Sequence, residues 1–366
     1  MSIVTKAAVA RSADGNFVVE KVTLDDLRDD EILVEVHACG ICHMDIEAKK
    51  TMELPAILGH EGAGVVADIG RKVTSVKIGD RVVMGYGSCG NCIPCGHDQA
   101  YFCDRGWELT FGGGRLDGSA TAIDAAGNSL RAAFFQQSSF ARHAITLARS
   151  VVPISDSVPW HVAAAVPCGF LTGAGTAQNI LAVGPDSSFL VRGVGAVGLG
   201  AVMAAKRAGC HNIVASDLRE NRLQIARDFG ATATVHAIET DFDDWRRKEF
   251  PRGFTHIFDT TGNAKVFQNS IENLATGGEM AYAILPAPME EFSFKPFQLF
   301  VKCANLRSVS FGSASPRTLV PKMLQWWAEG DFPIESVIGT FDFDAIDQAA
   351  DAGHSGTVVK PVLLMR

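Results

Sequence analysis

Cys89, Cys92, Cys95 and Cys103 lie in a run that opens Gly87-Ser-Cys-Gly-Asn-Cys-Ile-Pro-Cys. Three of them are separated by two residues each, and the fourth follows after seven more. C-x2-C turns aim both sulfurs the same way, so four thiolates so placed suit one tetrahedral Zn²⁺. Two disulfides are the alternative, which such tight spacing suits less well. Other metal-ligating types lie apart from this run. Gly40-Ile-Cys42-His43-Met44-Asp45 carries Cys, His and Asp on one turn. Gly59-His60-Glu61-Gly62 sets His and Glu among glycines, and Pro167-Cys168-Gly169 adds a thiol. Each is weak alone, because a buried cysteine is usually a small hydrophobe. Together Cys42, His60 and Cys168 are the ligand set of an open zinc site, whose fourth position is left for water or substrate. Two zinc ions per chain are therefore expected, one closed and one open.

Gly193-Val194-Gly195-Ala196-Val197-Gly198 is a G-x-G-x-x-G turn between an apolar strand and a helix. That context is what makes the pattern a dinucleotide signal. Gly193 permits the tight turn, Gly195 lets the backbone approach a pyrophosphate, and Gly198 lets helix and strand pack closely. The helix N-terminus, through Ala196 and Val197, then faces the phosphates with free N–H groups. Asp217 follows at the end of the next strand. Its carboxylate suits the two hydroxyls of an adenosine ribose and repels a 2′-phosphate, which favours NAD over NADP. Arg222 is expected to cover the ribose edge, although a cation there also tolerates a phosphate.

The elements that position these residues change in character along the chain. Residues 1 to about 150 are rich in Val, Gly and short alternating runs. Ile32-Leu-Val-Glu-Val-His, Gly64-Val-Val-Ala-Asp-Ile-Gly and Asp80-Arg-Val-Val-Met read as strands of a β-rich domain. Beyond Pro159, strands beginning at Phe189, Asn212, Thr255, Glu279 and Arg307 alternate with helices such as Val197–Ala208 and Arg219–Phe229, closed by Gly209 and Gly230. Such alternation predicts an α/β doubly wound parallel sheet. The tail carries one helix, Leu319–Glu329, and a last strand in Thr357-Val-Val-Lys-Pro-Val-Leu, for which the N-terminal sheet is a plausible home.

At 366 residues the chain is long enough for two domains, and 47% apolar with 20% charged residues is an ordinary globular composition. A net charge of -8 argues against nucleic acid as the main partner. No apolar run approaches a membrane span, and nine cysteines without a secretory signal point to a reducing, cytoplasmic compartment.

The order Gly-Ile-Cys-His-x-Asp, Gly-His-Glu-Gly-x-Gly-x-Val, Gly-Asp-Arg-Val, the four-cysteine lobe and Gly-x-Gly-x-x-Gly resembles the zinc-dependent medium-chain alcohol dehydrogenases over essentially the whole chain. Phe111-Gly-Gly-Gly-Arg-Leu-Asp-Gly-Ser and Phe134-Phe-Gln-Gln-Ser-Ser-Phe-Ala look like the aryl-alcohol (benzyl alcohol) branch, which also takes allylic alcohols such as geraniol. The resemblance implies a GroES-like catalytic domain over 1–158 with the structural-zinc lobe at 87–105. It further implies a Rossmann NAD-binding domain over 159–305, and an edge strand with a C-terminal segment over 306–366 that completes the first domain, with the active site in the cleft. It implies Cys42, His60 and Cys168 as catalytic zinc ligands. Glu61 would be a carboxylate able to enter the coordination sphere, and Asp45 the group that orients His60. Thr172 would contact the nicotinamide, and His43 and Lys360 would supply cations for the pyrophosphate. The segment Leu306–Phe311 would pair subunits in a homodimer or homotetramer.

Zinc in an open site lowers the pKa of a bound hydroxyl from about 16 toward about 7, and hydride then passes from the alcohol carbon to C4 of NAD⁺. The family normally has Ser or Thr two residues after the first ligand cysteine, to pass the alcohol proton outward. Here that position is Met44, whose thioether cannot donate, while Glu47 sits where many relatives end the relay with His. Three expectations follow. Water or the ribose hydroxyls replace the missing group; or the chain is a biosynthetic reductase acting on an iminium or a conjugated carbonyl, which needs no relay; or Met44 fills substrate space. A non-catalytic zinc-and-nucleotide-binding protein is the reading from another class, against which the intact Cys-His-Cys set speaks. Loops near Met52, Trp107 and Leu285 are expected to shape the substrate pocket. Cys39, Cys210, Cys303, the Trp326-Trp327 pair and the run Phe292–Phe300 are expected to be packing residues, with part of the Phe run lining an aryl pocket near the subunit interface as the alternative.

Overall fold

The computed structural model describes residues 3–283 and 291–365, so Leu285 lies outside the described residues. The chain divides into two compact units. One comprises Met1–Cys168, Ser315–Ala328 and Pro333–Arg366, and the other Gly169–Ala314 and Glu329–Phe332.

The first unit is built on two sheets. In one, the order among the described residues is Ala56–Ile57, Ile3–Ala10, Phe17–Leu24, Ala122–Ile123, Ser129–Leu130. In the other it is Val151–Pro153, Arg81–Met84, Gly62–Ile69, Glu31–Gly40, Lys360–Leu364, Ile338–Asp342, with His143–Leu147 also on Glu31–Gly40. Glu31–Gly40 is the spine because it is buried along most of its length, with four consecutive buried residues at its start. A strand covered on both faces reads as a continuous apolar run. The tail strand Lys360–Leu364 does pair with it, Val362 opposite Gly40 and Leu364 opposite Ala38. Helix Trp160–Ala165 stays with this unit rather than the next, because Val162, Ala163, Ala164 and Ala165 are buried against that sheet. The unit boundary accordingly falls at 168/169, ten residues beyond the expected 158/159.

In the second unit, parallel strands run in the order Ala233–His236, Asn212–Asp217, Ser188–Arg192, Phe254–Asp259, Leu274–Tyr282, Asn305–Ser308. This is the 3-2-1-4-5-6 order of a dinucleotide-binding sheet. Its core packs Leu190, Val214, Ile257 and Met280 from the strands against Phe267 and Ile271 of helix Ala264–Glu272. The second unit keeps residues 306–314, because Asn305–Ser308 completes its sheet edge. That strand is shorter than the expected Leu306–Phe311, since Phe311–Ser313 forms a 3-10 turn.

Two packing expectations fail here. Phe292 and Phe294 pack on the core, but Phe297 and Phe300 are 70% and 76% exposed on the short helix Pro296–Lys302. Cys303 is exposed as well, and it ends that helix in the left-handed region at φ 49°. Cys39 and Cys210 are buried, as expected of small hydrophobes.

Candidate active site

The metal-ligating residues assemble inside the first unit. Cys42 caps helix His43–Thr51, and the Asp45 carboxylate reaches back to accept the Cys42 backbone N–H at 2.9 Å. Asp45 is fully buried and also accepts from Gly59 N–H (3.1 Å) and His60 Nδ1–H (2.8 Å). Three donors on one buried carboxylate fix the His60 tautomer and turn Nε2 away, as a metal-bound imidazole needs. Gly59 allows this approach: its φ is +89°, and a Cβ there would meet Phe140 N at 2.5 Å. Cys168 lies in the π-helical stretch Val166–Phe170, a wide turn that is rare outside functional sites. Its Sγ stands 3.8 Å from Cys42 Sγ and 3.2 Å from His60 Nε2. Two sulfurs held about 2.3 Å from one tetrahedral zinc are about 3.8 Å apart, so the thiols already have the spacing of a shared ion. One carboxylate oxygen of Glu61 joins them, and the four ligand atoms lie within 4.8 Å of one another. Glu61 is fully buried, and its Oε1 has no hydrogen-bond partner among the described residues. Two thiols, an imidazole and an orphaned carboxylate oxygen together fit Zn²⁺.

Electrostatics follow from burial. The hydrogen bond to Cys168 holds the Cys42 thiol well below its ordinary value, and the same contact pushes Cys168 well above its own. Burial disfavours the His60 cation, but the Asp45 carboxylate outweighs it and holds the ring above its usual range. Burial pushes the Glu61 carboxyl up to about 7, against the pull of Lys360.

Lys360 lies beside the metal-ligand cluster. It is 2% exposed, ion-paired with Glu61 inside the first unit, and donates to the Ile41 carbonyl at 3.4 Å. Its ammonium faces a carboxylate, because strand Lys360–Leu364 runs through the interior beside Glu31–Gly40. His43 is 72% exposed, 3.8 Å from Glu47, which also binds Lys50 at 3.0 Å. Met44 is half-buried on the first turn of the same helix.

The four-cysteine lobe closes on itself. Cys89 Sγ is 3.9 Å from Cys95 Sγ, Cys92 Sγ is 4.0 Å from Cys103 Sγ, and Cys89 N–H points at Cys103 Sγ at 3.2 Å. These are again the spacings of sulfurs around one zinc, with no position left open.

In the second unit, the Gly193–Gly198 turn follows strand Ser188–Arg192 and opens helix Ala196–Arg207. Gly193 has φ +81°, which any other L-residue adopts only under strain. Gly198 packs so closely that a Cβ there would collide with the Gly193 carbonyl, whereas one at Gly195 would meet nothing within 4 Å. The turn is thus tight beneath and open above, where Ala196 and Val197 are half-exposed. Asp217 Oδ2 accepts from Val194 N–H at 2.8 Å and Oδ1 from Arg219 N–H at 3.1 Å, which ties the strand end to the turn and leaves lone pairs for a further donor. Arg222 is buried rather than spread over an open edge. Burial lowers its pKa, with the Asp217 charge opposing. Thr172 is half-buried on the turn Leu171–Gly175, where its carbonyl accepts from Thr176 Oγ1 at 2.7 Å.

Sequence reasoning missed the wall around His60. Phe135 stacks on the imidazole (4.4 Å, 22°) and Phe134 meets it edge-on (5.5 Å, 90°). Gln137 is 1% exposed and hydrogen-bonded to the His60 and Gly62 backbone. The segment Phe134-Phe-Gln-Gln-Ser-Ser-Phe-Ala stood out only as a resemblance, and its unbroken polar run Gln136-Gln137-Ser138-Ser139 among apolar residues was the local sign of a buried hydrogen-bonding role.

Residues 28–156 match the family model for the alcohol dehydrogenase GroES-like domain, and residues 196–329 that for zinc-binding dehydrogenases. The chain is 34% identical over 366 residues to the geraniol dehydrogenase of Castellaniella defragrans, covering 99% of this chain and 98% of that one. Among solved structures, a zinc-binding-domain alcohol dehydrogenase protein from Burkholderia ambifaria superposes with a TM-score of 0.97 at 36% identity over the full length of both. The benzyl alcohol dehydrogenase of Acinetobacter calcoaceticus does so with a TM-score of 0.95 at 31% identity, also over both full lengths.

Proposed function

We propose that this chain, which belongs to the zinc-dependent medium-chain alcohol dehydrogenase family, transfers hydride between NAD(H) and an aromatic or allylic primary alcohol or its aldehyde. The observation that carries the reading is the Cys42–His60–Cys168 cluster with Asp45 on the far imidazole nitrogen. The substrate class rests on the likeness to a geraniol and a benzyl alcohol dehydrogenase. Those relatives also favour alcohol chemistry over the reduction of an iminium.

Cys42, His60 and Cys168 would hold a zinc ion, which would supply Lewis acidity for the substrate. Asp45 keeps His60 in the tautomer that leaves Nε2 available. Lys360 balances the Glu61 carboxylate in a dry interior where an unpaired charge would be costly. Phe134 and Phe135 exclude water from one side of His60. Backbone N–H groups at Gly195, Ala196 and Val197 take a pyrophosphate, and Asp217 takes the adenosine ribose hydroxyls, so that NAD is preferred to NADP. The four-cysteine site holds a second, structural zinc. The active form is a cytoplasmic homodimer or homotetramer, paired through the sheet-edge strand near Leu306–Phe311.

Initial rates with NAD⁺ and NADP⁺ on benzyl, cinnamyl and geranyl alcohols test the reading. Turnover with NAD⁺ at least tenfold above NADP⁺ is expected. A protein that binds two zinc ions yet reduces NAD⁺ with none of these alcohols would rule out the substrate class.

A further inference from the structure

The segment Phe134–Phe140 holds three non-glycine residues in the left-handed region, Phe135 (φ 52°), Gln136 (φ 58°) and Ser138 (φ 46°). Such a backbone persists only where its surroundings over-determine it, and it clusters at functional sites. Here the surroundings are the chain from Ile57 to Gly62, which contains His60 and Glu61. Ser138 Oγ donates to the Ile57 carbonyl at 2.6 Å, Phe140 N–H to Leu58 at 2.9 Å, and Ser139 N–H to Gly59 at 2.9 Å. At His60 this ladder is continued by a side chain. Gln137 Nε2 donates to the His60 carbonyl (2.9 Å) and to the Gly85 carbonyl (3.1 Å). Gln137 Oε1 accepts from Gly62 N–H (3.0 Å) and Ser139 Oγ (3.0 Å). Both amide donors and both acceptor lone pairs are thus used, in a residue 1% exposed.

We propose that Gln137 is a positioning residue of the metal centre: its amide clasps the peptides on both sides of Glu61 and so sets the directions of the His60 and Glu61 side chains. The inference rests on the reading that Cys42, His60 and Cys168 hold zinc. The clasp fixes Glu61 between a carbonyl and an N–H, so its carboxylate stays against Lys360 at the margin of the cluster. It also seats His60 against the packed rings of Phe134 and Phe135, which the same strained segment supplies. Asp45 therefore sets the ring tautomer, while Gln137 sets the main chain that carries the ring.

The test uses the zinc-loaded, full-length protein with Gln137→Met, close in shape and without hydrogen bonds, and Gln137→Glu, which keeps the acceptors and loses the donors. Zinc release to a chelator is followed together with near-ultraviolet circular dichroism, and the visible spectrum is recorded after Co²⁺ exchange into the Cys42–His60–Cys168 site. In folded variants, release from that site is expected to quicken at least tenfold, release from the four-cysteine site to stay unchanged, and the Co²⁺–thiolate bands to shift. Unchanged release and an unchanged Co²⁺ spectrum would overturn the proposal. Failure of both variants to fold would also overturn it, by making Gln137 a residue of general stability. A wild-type chain that retains a single zinc, on the four cysteines, would instead sink the functional reading.

Discussion

Asp45 shows how much of the chemistry is decided by one side chain. It stands three residues from one ligand and fifteen from another, yet its carboxylate gathers Cys42, Gly59 and His60 onto one buried point. Removing a group that orients a metal-bound imidazole typically costs ten- to a hundredfold in metal affinity. Asp45→Ala is therefore expected to weaken zinc at the Cys42–His60–Cys168 site by about that factor, measured by competition with a chelator, while the four-cysteine zinc stays bound. Met44 is half-buried and unable to donate a proton where the family has a hydroxyl. If proton transfer limits turnover, Met44→Thr raises the rate of benzyl alcohol oxidation in steady-state assays. No rise would mean that another step is limiting.

At the scale of elements, the tail strand Lys360–Leu364 and the strand Gly62–Ile69 both pair with Glu31–Gly40 and bring Lys360 to Glu61. Breaking a buried pair by removing one partner costs about 3–5 kcal/mol, because the other charge is left uncompensated. Lys360→Met should lower stability by about that much in urea unfolding, and adding Glu61→Gln should restore part of the loss. Two histidines in strands set a pH dependence. Burial holds His143 and His256 below the ordinary value of 6.5. Both take up a proton less readily in the fold than when unfolded, so stability is lost as pH falls through about 6.5. His256→Gln should therefore lose less unfolding free energy than the unsubstituted chain when pH is lowered from 7 to 5, in paired urea titrations.

For the whole molecule, the sheet of the second unit ends on Asn305–Ser308, an edge strand beside a helix whose Phe297 and Phe300 are exposed. Unpaired strand edges and apolar surface favour self-association. Val309 N–H donates back to Tyr282, so the Ser308 N–H points to the free edge. If subunits pair there, Ser308→Pro removes that N–H and should shift sedimentation from dimer or tetramer toward monomer without loss of zinc. Much of the molecule was legible from local spacing. The C-x2-C turns, the glycine turn with Asp217 beyond it and the alternation of strands and helices are short-range patterns, governed by backbone sterics and hydrophobic period. The ligand types at Cys42, His60 and Cys168 could likewise be named from the chain. Other features depended on sheet register between distant segments, which no local pattern carries. Gln137 reaches Gly62 across 75 residues, and Lys360 reaches Ile41 across 319. Burial decided the rest: it turned Lys360 inward to Glu61, left Cys303 and Phe300 outside, and closed Phe135 over His60. Residue type and spacing by themselves thus determined what could bind metal and nucleotide. Only the tertiary structure decided which backbone holds those groups in place, because long-range hydrogen bonds and burial exist only once the sheets have closed.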